Sequence, residues 1–419
     1  MKSNILSEVF AELCESQTHF DSLLSRVNPS QKSKVAVLLG AFLRRPATIA
    51  THFGIELAPS AEEFWSASFI RMKKNQGIHQ CFEALWDKWE TIPNEGSVED
   101  FPVEFIQKLE KDWGVEKTKA MARLLSQDPL TTIRFHRRAY ENGALKPEIE
   151  AWLKEKDHPK SRAGNYTPNA RIFRGFARVQ RNDWFEKGYF EIQDEGSQFM
   201  SLYSLYPELF AGRLKDAPQT EKFAQTDVSS LPDLGPITVV DACSGAGGKT
   251  LALADGLKGK GRIYAYDVYE RKVRSLKQRA ERAQERNIQG VLVTPADYSS
   301  IQKFENTADV VLVDAPCSGY GVLRRNPDTK WPRKPFDEKK RDSEIPLPEL
   351  QLKVLEAYSK YVKPEGRLVF GVCTFLKEES LEPVQAFLKN HSEFELQSEG
   401  YLGPYDTDGF FMASLKKRK

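Results

Sequence analysis

The strongest constraint on the fold is an alternation in the second half of the chain. From about Ile192 onward, short β-branched apolar runs take turns with helical stretches. ITVVDA is followed by a helix from Lys249, RIYAYD by a helix through Val273, Leu276, Ala280 and Ala283, and then come VLVTPAD, DVVLVDAP and GRLVFGVC with helical stretches between them. Continuous apolar runs are strands covered on both faces, and strands joined by helices run parallel, so an α/β fold with a doubly wound parallel sheet is predicted over residues 191–419. In such sheets ligands bind beyond the carboxyl ends of the strands.

The first part of the chain is patterned differently. From Asn4 to about Gln127 apolar residues recur at helical spacing, as in Val35, Leu38, Leu39, Phe42 and Leu43, with breaks at Asn28-Pro29, Ala58-Pro59 and Ile92-Pro93. A helical domain over 1–127 is predicted. After Asp128-Pro129 the texture is mixed, with LTTIRFH reading as a strand, and a small subdomain over 128–190 is expected. Between Pro159 and Asn182 there is no acidic residue, but Lys160, Arg162, Arg171, Arg174, Arg178 and Arg181 are interleaved with Tyr166, Phe173 and Phe176. Guanidinium groups pair with phosphates and aromatic faces stack on unpaired bases, so this composition suits single-stranded RNA; a solvated face is the alternative.

Whole-chain properties exclude several classes. A net charge of +2 over 419 residues sets no global partner preference, so nucleic-acid affinity must be local. The start lacks a basic region followed by a long apolar run, and no stretch of 18 apolar residues occurs, so neither secretion nor a membrane partner is expected. The five cysteines, Cys14, Cys81, Cys243, Cys317 and Cys373, are odd in number and form no CxxC pair, which argues against a disulfide framework or a metal site and for reduced thiols in the cytoplasm. Oligomeric state is left open, with a monomer as the working expectation.

The first strand of the α/β half runs into Asp241-Ala242-Cys243-Ser244-Gly245-Ala246-Gly247-Gly248-Lys249-Thr250, a glycine-rich turn before a helix. A phosphate-binding P-loop needs glycine where Cys243 stands. Acidic residues close successive strands, at Asp267, Asp297 and Asp314, and Asp267 is placed to bond ribose hydroxyls, which NAD and S-adenosylmethionine both carry. Strand-end caps are the plain alternative for each.

Two cysteines occupy equivalent positions, Cys317 after the strand ending at Asp314 and Cys373 after GRLVFGV. A lone cysteine after an apolar run packs as a small hydrophobe, but two at neighbouring strand ends suit a specific chemistry. Carbon 5 of cytosine is too poor a nucleophile to attack a methyl sulfonium until a thiolate adds to carbon 6. Afterwards the carbon 5 proton and the thiolate must leave, which a second cysteine could assist. Asp314 could bond to and protonate the ring nitrogen as charge develops, and the base must be unstacked to enter.

These residues resemble the Nop/Sun family of RNA cytosine-5 methyltransferases, and within it the bacterial branch of the ribosomal RNA small-subunit methyltransferase B type. The resemblance runs from FPVEFIQKLEKDWGVEKTKAMARLLSQDPLTTIRFH through GYFEIQDEGSQ, DACSGAGGKT, YAYDVYERKV and DAPCSGYGVLRRNPDTKW to LVFGVCTFLKEE and DGFFMASL. It implies a Rossmann-like class I methyltransferase domain preceded by a helical, NusB-like domain and an RNA-binding subdomain. By the resemblance Cys243, Ser244, Gly245, Ala246, Gly247, Gly248, Lys249, Asp267, Asp297 and Asp314 contact S-adenosylmethionine or its adjoining site, Cys373 attacks carbon 6, and Cys317 assists release. Arg171, Arg174 and Arg178, and then Arg324, Arg325, Lys330 and Trp331, are expected along the RNA path, with a role in local structure as the alternative for the last four. Small-subunit ribosomal RNA is the preferred substrate, with transfer RNA second. Three departures stand out: Ala246 where the family has proline, Val372 where threonine precedes the nucleophile, and His136 where the RNA-binding strand has asparagine. Two other readings are a ribosome-assembly factor without turnover and a nicotinamide-dependent oxidoreductase, the latter having no use for both cysteines.

Overall fold

A computed structural model describes residues 4–15, 20–58, 60–155, 160–173, 179, 182–219, 231–293, 305–331 and 345–419. The chain forms two compact units, one of residues 1–129 with 319–344 and one of residues 130–318 with 345–419.

The first unit is helical among its described residues, including α1 (Asn4–Glu15), α2 (Pro29–Arg44) and α3 (Gln76–Lys88). The break at Asn28-Pro29 is the start of α2: the Asn28 side chain accepts the Ser30 N–H, and Pro29 sits where no amide donor is needed. Phe10, Phe42 and Phe82, one from each helix, meet edge-to-face in the core.

The centre of that core comes from far along the chain. Trp331 has its ring 5.2 Å from Phe10, 5.6 Å from Phe42 and 5.2 Å from Trp65, and its indole N–H donates to the Leu43 carbonyl at 2.9 Å. Lys330 is 6% exposed, donating to the carbonyls of Arg44 and Asp100, with the Phe101 ring 4.2 Å from its ammonium. Arg324 is 3% exposed, and its carbonyl accepts from Arg44. The expectation that Arg324, Lys330 and Trp331 line an RNA path is therefore corrected, since buried groups cannot meet a polyanion. Arg325 is only half-buried. The boundary expectation changes too: residues 319–344 belong with the helical unit.

The second unit opens with a four-stranded antiparallel sheet in the order β2-β3-β1-β4, from β1 (Thr131–Phe135), β2 (Ser161–Ala163), β3 (Ala170–Phe173) and β4 (Phe190–Ile192). LTTIRFH thus contains β1, and Trp152 stacks on Phe190 beneath the sheet at 5.5 Å. Side-chain contacts fasten this sheet to the following α/β layers: a buried ion pair of Arg134 with Asp255 at 3.0 Å, a buried hydrogen bond of His136 with Glu285 at 2.6 Å, and a partly buried pair of Arg137 with Glu285 at 3.0 Å. His136, expected to bear on substrate identity, is buried in this lock and faces Glu285. The ligand atoms of His136, Asp255 and Glu285 lie within 4.8 Å of one another, but guanidinium groups already neutralise both carboxylates, which disfavours a cation there.

The large sheet has seven strands in the order β10-β11-β9-β8-β5-β6-β7, from β5 (Thr238–Asp241), β6 (Arg262–Asp267), β7 (Ile288–Leu292), β8 (Ala308–Asp314), β9 (Val362–Val372), β10 (Phe394–Leu402) and β11 (Phe410–Lys417). The five from β7 to β9 are parallel, as the alternation predicts, and the last two add an antiparallel hairpin that includes DGFFMASL. β7 ends earlier than VLVTPAD suggests, and Asp297 lies outside the described residues. The chain builds outward from β5 through β6 and β7, then returns to lay β8 on the other side of β5. That reversal makes the β5/β8 boundary the switch point where the carboxyl ends open a crevice. No helix among the described residues is long and apolar enough to cross a membrane.

Candidate functional site

The turn after β5 depends on two glycines. Gly245 and Gly247 have φ of +55° and +90°, and a Cβ on Gly247 would lie 2.2 Å from Leu276. L-residues with side chains rarely adopt that backbone, and at Gly247 no space exists for one. α4 (Gly248–Gly256) begins directly afterwards, so the amides of its first turn, which a helix leaves without helical partners, lie next to the turn. Asp267, at the end of β6, accepts the Gly245 and Tyr269 N–H groups at 2.9 Å each, which shapes the loop from the adjoining strand. Ala246, where the family has proline, is exposed, and its carbonyl accepts from Arg279 at 2.8 Å. Arg279 is itself held by Glu191 of β4 at 2.9 Å, so a side-chain clamp supplies stiffness that the missing proline ring would have given.

Below the loop the site is acidic and largely dry. Asp241 is fully buried and accepts from the Thr250 hydroxyl at 2.7 Å, while its other oxygen has no partner among the described residues. Burial pushes its carboxyl up to about 7; the Thr250 bond opposes this and the nearby Asp314 adds to it. Cys243 has its thiol raised, first by burial and then by Asp314, Asp241 and Asp267, so it stays protonated and is no nucleophile. Lys249 reaches Asp314 at 2.8 Å. Burial works to lower the Lys249 ammonium, but Asp314 and, behind it, Cys373 and Asp241 outweigh this and leave it raised, so it stays cationic.

The two cysteines meet beside that ion pair. β8 and β9 are in register, with Asp314 opposite Gly371, and the pairing continues past the strand ends through the Ala315 N–H to the Gly371 carbonyl at 2.9 Å. Cys317 and Cys373 consequently sit with sulfur atoms 3.2 Å apart, and the Cys373 N–H points at the Cys317 sulfur at 3.3 Å. Both are partly exposed, unlike Cys14 and Cys81, which are buried in the helical unit. Val372 is fully buried and in register with Phe411, so the departure from threonine falls on an interior position where an apolar side chain packs.

Residues 235–416 match the family model for the 16S rRNA methyltransferase RsmB/F. Over this α/β part the chain is similar to the RsmB/F family. It is an S-adenosylmethionine-dependent methyltransferase of the rRNA-modifying kind. The probable ribosomal RNA small subunit methyltransferase B of Bacillus subtilis is 27% identical over 402 residues, covering 89% of this chain and 79% of that protein. The ribosomal RNA small subunit methyltransferase B of Photorhabdus laumondii is 32% identical over 209 residues, a match spanning 46% of each chain, so the match spans about half the length of that relative. The crystal structure of PH0851 shares the fold over 100% of this chain and 99% of its own, with a TM-score of 0.68 at 21% identity.

The RsmB/F cofactor site fits the donor groups seen here. A sulfonium cation is favoured by a crevice with Asp267 and Asp314 at its strand ends, whereas the pyrophosphate of a nicotinamide dinucleotide would meet the same carboxylates with the nearest ammonium, Lys249, already paired. Of the expected cofactor residues, Cys243 to Lys249, Asp267 and Asp314 are gathered around this crevice by the turn, the ends of β6 and β8, and the start of α4. Among the expected RNA residues, Arg171 is half-buried on β3, and Arg174 and Arg178 lie outside the described residues. Sequence reasoning missed Asp241 and Arg279. In the sequence Asp241 stands out only as the first residue of the turn, although it closes its strand as Asp267 and Asp314 do. Arg279 carries no local signal, because its partners are 88 residues away in β4 and 33 residues away in the turn.

Proposed function

We propose that this chain methylates carbon 5 of a cytosine in RNA, with Cys373 as nucleophile and Cys317 as the group that enables release. The observation that carries the reading is the pair of sulfur atoms 3.2 Å apart at the ends of adjacent parallel strands, beside the Lys249–Asp314 pair. S-adenosylmethionine supplies an electrophilic methyl group. The Cys373 thiolate adds to carbon 6, which makes carbon 5 electron-rich enough to accept the methyl. Asp314, paired with Lys249, faces the ring nitrogen edge and hands it the proton released by the Cys373 thiol as charge builds up there, while Lys249 stays cationic and steadies the carboxylate left behind. After methylation, Cys317 takes the carbon 5 proton, the carbon–sulfur bond to Cys373 breaks, and the ring nitrogen returns its proton to Asp314, restoring the aromatic ring and the Cys373 thiolate. The Cys373 N–H aimed at the Cys317 sulfur holds that sulfur beside the carbon–sulfur bond that must break.

Small-subunit ribosomal RNA is the substrate we favour, as in the Bacillus and Photorhabdus relatives named above, and β1 to β4 with Arg171 are the surface we assign to it. The test uses bacterial small-subunit rRNA, labelled S-adenosylmethionine and nucleoside mass spectrometry. The label is expected in 5-methylcytidine. Label in another nucleoside, or transfer only to transfer RNA, contradicts the corresponding part of the proposal.

A further inference from the structure

The two cysteines are not held alike. Cys373 directly follows β9, whose last residues pair with β11 on one side, so strand geometry fixes it. Cys317 lies three residues beyond β8, after a proline, where the ladder has run out. The backbone groups flanking it are instead taken up by two buried side chains from other elements. Glu379, 3% exposed in the turn after Cys373, accepts the Ser318 N–H at 2.7 Å. Gln351, fully buried on the helix Leu347–Ser359, donates its amide to the Pro316 carbonyl at 2.9 Å and to the same Glu379 oxygen at 3.2 Å. Only one orientation of that amide works, because the flipped one would set its oxygen against a carbonyl and a carboxylate. The Ser318 hydroxyl adds a contact to Thr374 at 3.2 Å.

We propose that Glu379, braced by Gln351, is a positioning residue that holds the Pro316–Ser318 segment so that the Cys317 sulfur stays against Cys373, and thereby controls product release in preference to thiolate addition. A carboxylate accepting a backbone N–H is a strong, directional hold, and here it acts on the residue next to the sulfur. This inference rests on the two-cysteine reading above, and it assigns no contact with substrate to Glu379.

The experiment compares the full-length Glu379→Ala, Glu379→Gln, Gln351→Leu and Cys317→Ser variants in two assays. In the first, RNA and S-adenosylmethionine are supplied and the protein–RNA adduct surviving denaturation is measured. Glu379→Ala is expected to lose about tenfold or more in turnover while accumulating adduct toward the Cys317→Ser level, as a displaced reacting group predicts. Gln351→Leu should do the same more weakly, and Glu379→Gln, which keeps an acceptor for the Ser318 N–H, should turn over nearly as wild type. The second assay needs no RNA. The diazene oxidant diamide takes two protons and two electrons from the thiol pair, closing a Cys317–Cys373 disulfide and becoming a hydrazine. Its rate reports how closely the sulfurs are held, and Glu379→Ala should slow it several-fold with Glu379→Gln restoring it. Wild-type closure in Glu379→Ala, or loss of turnover without adduct while Cys317→Ser does accumulate it, overturns the positioning role. Absence of adduct in Cys317→Ser itself refutes the two-cysteine reading, and the diamide rates then decide the positioning role alone.

Discussion

The segment Asp314–Trp331 divides at Gly319 into two regions with opposite characters. Up to Ser318 it follows the central sheet, its cysteine partly exposed and its flanking polar groups bonded for geometry. From Gly319, which has a φ of +74°, it belongs to the helical unit, where Trp331 and Lys330 are buried among aromatic rings and backbone carbonyls. One continuous motif therefore places its first part at the end of the central sheet and its second part in the core of the helical unit. Motif specificity identifies a family reliably, but burial decides which of its residues can meet a ligand.

The sharpest way to break this contrast is substitution on either side of Gly319. Cys373→Ser should lower methylation by about four orders of magnitude or more, with stability changed by about 0.5 kcal/mol or less. Trp331→Ala should do the reverse in kind: loss of a buried indole and its bond to Leu43 destabilises the helical unit by about 3–5 kcal/mol, seen as a lowered thermal transition. Should Trp331→Ala leave melting unchanged, or Cys373→Ser lower it by several degrees, the two regions are not separated as described.

A smaller effect is expected in the cofactor turn. Arg279→Ala removes the clamp on the Ala246 carbonyl and should weaken S-adenosylmethionine binding about tenfold by calorimetry, a loss in the range of one charge-assisted bond. Unchanged affinity would mean that the two glycines and Asp267 suffice to set the loop.

The subtlest difference is in pH dependence, because each region buries one ionisable group of opposite kind. Asp241 has its carboxyl raised to about 7 by burial, so the folded state holds a proton that the unfolded chain releases near 4. Its contribution to stability is greatest below about 4 and falls as pH rises to 7. Lys330 has its ammonium lowered to about 7 by burial, Asp100 opposing and Arg44 and Arg45 assisting. The unfolded chain binds the extra proton between 7 and about 10.5, so this contribution rises with pH across that window. Denaturation series should show Asp241→Asn removing a downward slope below pH 7 and Lys330→Met removing an upward slope above it. The same slope change from both variants would contradict the burial assignments.

These residues also show how much was legible beforehand. The parallel sheet, the glycine turn and the cysteine pair follow from local patterns: apolar runs of strand length, positive-φ glycines and thiols at strand ends. The resemblance then assigned roles to those residues. The charges of Arg324 and Lys330 misled because a basic composition looks the same on a surface and in a buried cage. His136 did so for a related reason, since its partner Glu285 lies 149 residues away. Arg279, Gln351 and Glu379 act through long-range bonds to backbone groups, and such bonds leave no periodic trace in a sequence.

The central claim is that Cys373 forms, and Cys317 resolves, a covalent bond with RNA. Intact-protein mass spectrometry of Cys317→Ser after reaction with substrate RNA, S-adenosylmethionine and nuclease tests it directly. The account predicts a stable added mass of a methylated cytidine-containing fragment, mapped to residue 373 and absent from the Cys317→Ser/Cys373→Ser double variant. An adduct mapped elsewhere, or none despite binding of both substrates, would contradict it.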